Sequence, residues 1–153
     1  MNRWLALVLF IIAAFATSAI GGLATASSVG TWYPTLNKPS WNPPAWIFGP
    51  VWSLLYVAMS VAAWRVWLVR ATAPGAGWTL RLWFAQLLLN ALWSVLFFGL
   101  RSPGAALIEI VPLWYLLVAL QIRLARTDRV AAFLWGPYLA WVSFAAFLNF
   151  TIW

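Results

Sequence analysis

Five long apolar segments run through this chain of 153 residues, and they constrain its fold more than any other feature. Each is close to the ~20 residues that a helix needs to cross the hydrocarbon core of a bilayer. In lipid, backbone groups must find hydrogen-bond partners within their own segment, which favours helices. The sequence therefore predicts an all-α polytopic membrane protein, a bundle of five transmembrane helices forming one domain over residues 1–153. The predicted helices span residues 4–26, 45–69, 79–100, 104–125 and 130–153.

The composition excludes most catalytic chemistries. Hydrophobic residues make up 65% of the chain and charged residues only 7%, against about 25% charged in a soluble domain. Without cysteine or histidine, the chain has no thiolate, no Ser-His-Asp triad and no His-bound metal. Glu109 and Asp128 are the only acids, which leaves almost nothing for paired-carboxylate hydrolysis or two-metal phosphoryl chemistry. We therefore expect no catalytic residue, no metal site and no required cofactor.

The nine basic residues are distributed unequally between the two sides of the predicted bundle. They form no run, so the net charge of +7 does not indicate a nucleic-acid partner. Cytoplasmic loops of membrane proteins carry an excess of Lys and Arg, which predicts a cytoplasmic N-terminus in a bacterial cell membrane. An outer-membrane location stays open, because the rule need not apply there. One side holds Arg3, Arg65, Arg70, Arg81, Arg123, Arg126 and Arg129, and the other holds Lys38 and Arg101.

The connection over residues 27–44 differs from the other, shorter connections. It contains four prolines together with Trp32, Tyr33 and Trp41. Structureless loops of this length are uncommon in compact domains and are usually functional. Proline restricts the backbone, so we expect an ordered lid over the bundle. At its end, Pro43 and Pro44 are suited to starting the second helix.

Helical spacing brings polar and aromatic residues onto inward faces of three helices. Amides inside a membrane are expensive unless they face protein or a cavity, so Gln86 and Asn90 indicate either a ligand contact or an interhelical hydrogen bond. For Glu109, a structural role and a polar contact with a ligand are equally consistent with the sequence. Tryptophans near the span ends are expected to be interface anchors: Trp4, Trp78, Trp135 and Trp153. The inward faces carry Gly49, Trp52, Tyr56, Met59 and Ala63 on helix 2, Gln86, Asn90 and Ser94 on helix 3, and Tyr138, Trp141, Ala145, Leu148 and Asn149 on helix 5.

Several motifs resemble one known family across almost the whole chain. They are Trp32-Tyr33, residues 36–44 (LNKPSWNPP), residues 52–56 (WSLLY), the set Gln86, Asn90 and Trp93, and residues 137–141 (PYLAW) followed by Leu148-Asn149. The chain is similar to the tryptophan-rich sensory protein family, the bacterial relatives of the mitochondrial translocator protein, or peripheral benzodiazepine receptor. Helix 5 lacks the Tyr and the basic residue of the eukaryotic sterol pattern, so we do not expect tight sterol binding.

The resemblance implies a five-helix bundle, usually a homodimer, that binds porphyrins such as protoporphyrin IX and synthetic isoquinoline or benzodiazepine-type ligands. It implies a pocket between the helices under the first loop. Two loop tryptophans, Trp32 and Trp41, and the intramembrane amide Gln86 complete the predicted ligand-binding set. That set is Trp32, Tyr33, Trp41, Pro43, Trp52, Tyr56, Gln86, Asn90, Trp93, Ser94, Ile110, Trp141, Ala145 and Leu148.

The functional prediction is an integral membrane protein that binds, and transports or senses, a porphyrin or another apolar planar small molecule. Aromatic walls with a few polar groups suit such a guest. Membrane lipid and a second copy of the chain are the other expected partners. Two alternatives stay open: an enzyme that degrades porphyrins with light and oxygen, and a membrane regulatory or scaffold protein.

Overall fold

Five helices form the body of the molecule. The computed structural model describes residues 2–153, and within that range five helices are long and apolar enough to cross a membrane. No strand occurs among these residues. The predicted all-α bundle of five transmembrane helices is therefore confirmed. The helices are α1 (Arg3–Ala26), α2 (Phe48–Leu68), α3 (Ala76–Ser94), α4 (Pro103–Thr127) and α5 (Arg129–Ile152).

Local side-chain chemistry explains where three of the helices begin. The side chains of Asn2, Ser102 and Asp128 accept hydrogen bonds from the backbone amides of the first turns of α1, α4 and α5. Such caps satisfy amides that have no partner inside the helix. Helix α2 starts three residues later than predicted, because a short 3₁₀ helix (Ala45–Ile47) precedes it.

Helix α3 ends in a π-helix, which the sequence analysis did not predict. The π-helix covers Val95–Gly99, and the amide of Leu100 donates to the carbonyl of Val95 over 2.7 Å. Single π-turns occur frequently at functional sites. Phe98 lies in the last turn, and its carbonyl accepts a hydrogen bond from Ser28 Oγ just after the end of α1.

The helices pack as a closed ring. Helix α1 lies between α2 and α3, α4 lies between α3 and α5, and α2 contacts α5 to complete the ring. Trp135 is completely buried, and its Nε1 donates to the carbonyl of Leu117 over 3.1 Å. Its expected role as an interface anchor is therefore wrong: its position along α5 is near the end, but it faces α4. Trp4, Trp78 and Trp153 are exposed.

The two ends of the bundle differ in charge. Because consecutive helices run in opposite directions, the seven arginines counted together above lie at one end, and the loop over residues 27–44 lies at the other. At the arginine-rich end, Arg65 Nε donates to Asp128 Oδ2 over 2.7 Å, which links α2 to the start of α5. Lys38 and Arg101 are the basic residues at the loop end.

Candidate ligand-binding site

A cavity of about 380 Å³ lies inside the loop end of the bundle. The C-terminal halves of α1, α3 and α5 and the N-terminal half of α2 form its walls. Helix α4 does not contribute to this lining. The lining residues are Ser18, Gly21, Gly22, Thr25, Val29, Tyr33, Phe48, Gly49, Trp52, Ser53, Tyr56, Asn90, Trp93, Ser94, Phe97, Phe98, Trp141, Phe144, Ala145, Leu148, Asn149 and Ile152.

Three indole rings from three different helices line the cavity. Trp52 of α2 lies 5.6 Å from the ring of Tyr56, measured between centroids. Trp93 of α3 stacks on Phe97 at 5.0 Å with an interplanar angle of 21°. Trp141 of α5 is the third. Aromatic pairs at these separations hold one another in place, so the walls present large, fixed apolar surfaces.

A chain of hydrogen bonds closes the deep end of the cavity. Tyr56 Oη donates to Asn90 Oδ1 over 3.1 Å, and Asn90 Nδ2 donates to Tyr138 Oη over 2.7 Å. Tyr138 in turn donates to Gln86 Oε1 over 2.7 Å. These bonds join α2, α3 and α5. They satisfy most of the polar atoms at this depth, which would otherwise be costly inside a membrane.

The cavity is neutral but contains hydroxyl groups. Its lining includes no charged side chain. Among the residues described, the hydroxyls of Ser18, Ser53 and Ser94 have no hydrogen-bond partner, and all three line the cavity, so they are available to a guest. The amide of Asn149 is already engaged, since its Oδ1 accepts from Trp93 Nε1 and its Nδ2 donates to the carbonyl of Pro103. The site is therefore suited to an apolar molecule that accepts or donates a few hydrogen bonds.

The loop over the cavity is folded around Tyr33. The Tyr33 hydroxyl donates to Asn42 Oδ1 over 2.9 Å, and its ring lies against Phe98. Lys38 Nζ donates to the carbonyl of Tyr33 over 2.7 Å and lies 4.7 Å from the centre of its ring. These contacts hold Tyr33 in the lining of the cavity, with only 5% of its surface exposed.

A second set of contacts fastens the start of the loop to the turn after α3. Arg101 Nε donates to Ser28 Oγ over 3.2 Å, and its guanidinium also reaches the carbonyl of Ser27. Arg101 adopts φ = 52°, a left-handed backbone conformation that is uncommon for residues other than glycine. The surrounding hydrogen bonds maintain this costly conformation at the rim of the site.

Nine of the predicted site residues line the cavity, and Ile110 lies behind its wall. Ile110 borders a much smaller void of about 10 Å³ that is shared with Trp52 and Trp93. The nine residues in the lining are Tyr33, Trp52, Tyr56, Asn90, Trp93, Ser94, Trp141, Ala145 and Leu148.

Four predicted site residues are not among the lining residues that the structure describes: Trp32, Trp41, Pro43 and Gln86. Trp32 packs against Phe97, and Trp41 stacks on Phe147 at 5.5 Å. Gln86 is completely buried; its Oε1 accepts from Tyr138, and its Nε2 donates to Met59 Sδ over 3.8 Å. Of the two roles predicted for Gln86, a ligand contact or an interhelical hydrogen bond, the geometry shows the hydrogen bond.

Four phenylalanines are among the 13 lining residues that lie outside the predicted set. Phe48 and Phe144 flank Trp141, with ring centroids 6.0 and 5.7 Å away. The spacing of Phe144 from Trp141 and Phe48 from Trp52 was the available signal. Phe97 and Phe98 lie in the π-helix, where ordinary helical spacing does not predict which way a side chain faces.

Glu109 lies away from the lining, although it is buried. Only 7% of its surface is exposed, and neither carboxylate oxygen has a hydrogen-bond partner among the described residues. It occupies the second turn of α4, outside the helices that form the cavity. Of the two roles considered for Glu109, a ligand contact in this cavity therefore receives no support.

Comparisons with known proteins agree with this architecture. The model of the TspO/MBR family matches residues 7–153. The chain is 42% identical to tryptophan-rich protein TspO of Chlorobaculum tepidum, covering 99% of this chain and 97% of the relative. It is 35% identical to protein CrtK of Rhodobacter capsulatus, covering 97% and 93%. It is 38% identical to the human translocator protein, covering 80% and 73%. The chain belongs to the TspO/MBR family of integral membrane proteins.

Proposed function

We propose that the protein binds a metal-free porphyrin, such as protoporphyrin IX, in the cavity at the loop end of the bundle. The observation that carries this proposal is the convergence of Trp52, Trp93 and Trp141 on one neutral cavity. A porphyrin macrocycle is flat, wide and apolar, so rings on several walls provide the contact area it needs. The cavity volume also lies within the roughly 300–1,000 Å³ of typical small-molecule sites.

The absence of histidine and cysteine from the sequence favours a metal-free guest. Haem proteins hold their iron through axial His, Cys, Met or Tyr ligands. The tyrosines that line the cavity already donate hydrogen bonds, Tyr33 to Asn42 and Tyr56 to Asn90. Binding would then come from stacking and apolar contact, with the free serine hydroxyls facing the edge of the macrocycle.

Charge favours one orientation of the bound molecule. The two carboxylates of protoporphyrin would be costly in a lining that has no charged group. Lys38 lies against the lining residue Tyr33, and Arg101 bonds to Ser28, which precedes the lining residue Val29 in the sequence. We therefore place the carboxylates towards the loop and the apolar edge towards Asn90.

Location, orientation and assembly belong to the same proposal. The arginine-rich end faces the cytoplasm of a bacterial cell, so the loop and the cavity beneath it lie towards the outer side of its membrane. The protein works as a homodimer, and the bound porphyrin is transported or sensed. A relative named translocator protein is consistent with transport.

Titration of the purified protein with protoporphyrin IX tests the proposal. Tryptophan lines the cavity on three sides, so bound porphyrin should quench tryptophan fluorescence. The proposal predicts a saturable curve with one porphyrin per chain. Quenching that rises without saturation, as expected for partition into empty detergent micelles, would contradict it.

A further inference from the structure

Helices α1 and α2 run antiparallel in close contact along most of their length. Trp4 stacks on Trp64 with ring centroids 5.4 Å apart, near the arginine-rich end. Further along, Phe15 lies 5.9 Å from Tyr56. Towards the loop end, residue numbers therefore rise along α1 while those of the facing residues fall along α2.

Where the cavity begins, the residues that face each other across α1 and α2 have small side chains. Beyond Phe15 the antiparallel register brings Ser18 towards Ser53 and Gly22 towards Gly49. A Cβ atom added to Gly22 or to Gly49 would meet no heavy atom within 4 Å. The seam between α1 and α2 is therefore unfilled at this level.

Residues at this gap face the cavity and the outside of the bundle at once. Gly22, Gly49 and Ser53 line the cavity and are also exposed. Immediately beside them, Leu23 is 81% exposed and Leu54 is 71% exposed. In a transmembrane helix, such leucines face lipid tails, so the gap opens towards the hydrocarbon region of the membrane.

The loop end is closed by comparison. Tyr33 is buried beneath the loop, with its hydroxyl bonded to Asn42. Ser28 is completely buried, and it bonds both to the carbonyl of Phe98 and to Arg101. A molecule arriving from water would have to break these contacts, whereas one dissolved in the bilayer meets an opening with small side chains.

We propose that Ser18, Gly22, Gly49 and Ser53 form a lateral portal through which the ligand passes directly between the bilayer and the cavity. The proposal rests on the cavity being the binding site. It also restricts the ligand to molecules that partition into membranes, because a strictly water-soluble molecule would not reach the portal. The small side chains at these four positions leave the passage open, and larger ones would obstruct it.

Thiol labelling inside the cavity tests the portal without any porphyrin. The native chain has no cysteine, so Ala145→Cys places one thiol in the cavity lining. The protein is reconstituted into phosphatidylcholine vesicles and exposed to a lipid-soluble maleimide or to a charged, membrane-impermeant one. Gly22→Leu and Gly49→Leu are then added to obstruct the portal. The matched control is Gly136→Leu, since Gly136 lies on α5 outside the lining and also has open space around it.

The portal predicts that the lipid-soluble reagent labels the Ala145→Cys thiol faster than the charged reagent. Gly22→Leu and Gly49→Leu should slow that labelling on the order of tenfold, equivalent to about 1.4 kcal/mol of added barrier. Gly136→Leu should leave the rate unchanged. Faster labelling by the charged reagent, or equal rates in all three glycine variants, would overturn the portal.

Porphyrin kinetics separate this inference from the proposed function. If the wild-type protein binds protoporphyrin IX from vesicles, Gly22→Leu should slow its association. Portal-dependent labelling without any porphyrin binding would support the portal and refute the proposed function. Porphyrin binding at rates unaffected by Gly22→Leu and Gly49→Leu would support the proposed function and refute the portal.

Discussion

Tyr56 Oη and Asn90 Oδ1 lie 3.1 Å apart and join α2 to α3 at the deep end of the cavity. Asn90 also donates to Tyr138, so a single amide is hydrogen-bonded to two hydroxyls from two other helices. Asn90 is therefore the shared member of the network, and Tyr56 takes part in only one of its bonds.

Removing that shared member should destabilise the bundle more than removing one hydroxyl. Interhelical hydrogen bonds in membranes contribute about 0.6 kcal/mol on average and at most about 1.7. Tyr56→Phe loses one such bond, whereas Asn90→Ala loses two and leaves both hydroxyls without this partner. Thermal unfolding in detergent, followed by circular dichroism, should give a lower Tm for Asn90→Ala than for Tyr56→Phe. Equal values would mean that the network contributes little to stability.

The ion pair between Arg65 and Asp128 should make stability depend on pH. Burial raises the pKa of the Asp128 carboxyl, but hydrogen bonds from Arg65 and the Val130 amide lower it by more, so the net pKa lies below its usual value. A pKa lowered by folding stabilises the protein above the unfolded pKa of about 3.9, and this contribution is lost as the pH falls through the folded pKa.

Two substitutions at Asp128 separate its charge from its role as a helix cap. Asp128→Asn keeps a capping side chain but loses the ion pair, so it should cost about 0.2–1 kcal/mol at pH 7. Asp128→Ala also loses the cap, for about 1 kcal/mol more. The difference between wild type and Asp128→Asn should vanish in acid. A difference that stays the same at a pH below the folded pKa of Asp128 would show that charge is not its cause.

Lys38 should recognise the carboxylates of the bound porphyrin. Lys38→Met keeps an apolar stem of similar length while removing the charge at the loop end. We expect it to weaken binding of protoporphyrin IX but not of its dimethyl ester, which has no carboxylate to pair. Parallel fluorescence titrations with the two compounds measure the difference. An equal loss for both would indicate that Lys38 only supports the loop through its bond to the Tyr33 carbonyl.

Single cysteines should report the orientation of the protein in the cell membrane. Asn37 in the loop and Thr72 between α2 and α3 are both exposed and lie at opposite ends of the bundle. An impermeant maleimide applied to intact cells should label Asn37→Cys, and should label Thr72→Cys only after permeabilisation. The opposite pattern would reverse the orientation inferred from the arginines.

The fold could be predicted from the sequence because the length and apolarity of each span leave few alternatives in lipid. Inward positions such as Trp52 and Asn90 followed from helical spacing, and the family resemblance nominated the same positions. The depth and direction of individual side chains depend on which helices are neighbours. Gln86 and Asn90 share one face of α3, but only the packing of Tyr138 between them separates a buried amide from one that borders the cavity.

Trp135 also shows that the direction of a side chain depends on which helices are neighbours. Its place near a span end predicted an interface anchor, but the face of α5 that carries it packs against α4. The π-helix was unpredictable for a different reason. The backbone of this segment bonds to residues outside it, because the Phe98 carbonyl accepts from Ser28 and the Leu96 carbonyl accepts from the amide of Ser102.

The most direct measurement of the central claim is the affinity for protoporphyrin IX of Trp52→Ala, Trp141→Ala and Trp78→Ala. Trp52 and Trp141 line the cavity, whereas Trp78 is exposed at the arginine-rich end of α3 and serves as the matched control. Losing a stacking surface should cost on the order of 1–3 kcal/mol, by analogy with aromatic stacking on bases. That predicts roughly tenfold or weaker binding for the two cavity variants and a change within about twofold for Trp78→Ala. Equal affinities for all three folded variants would contradict an aromatic binding site in this cavity.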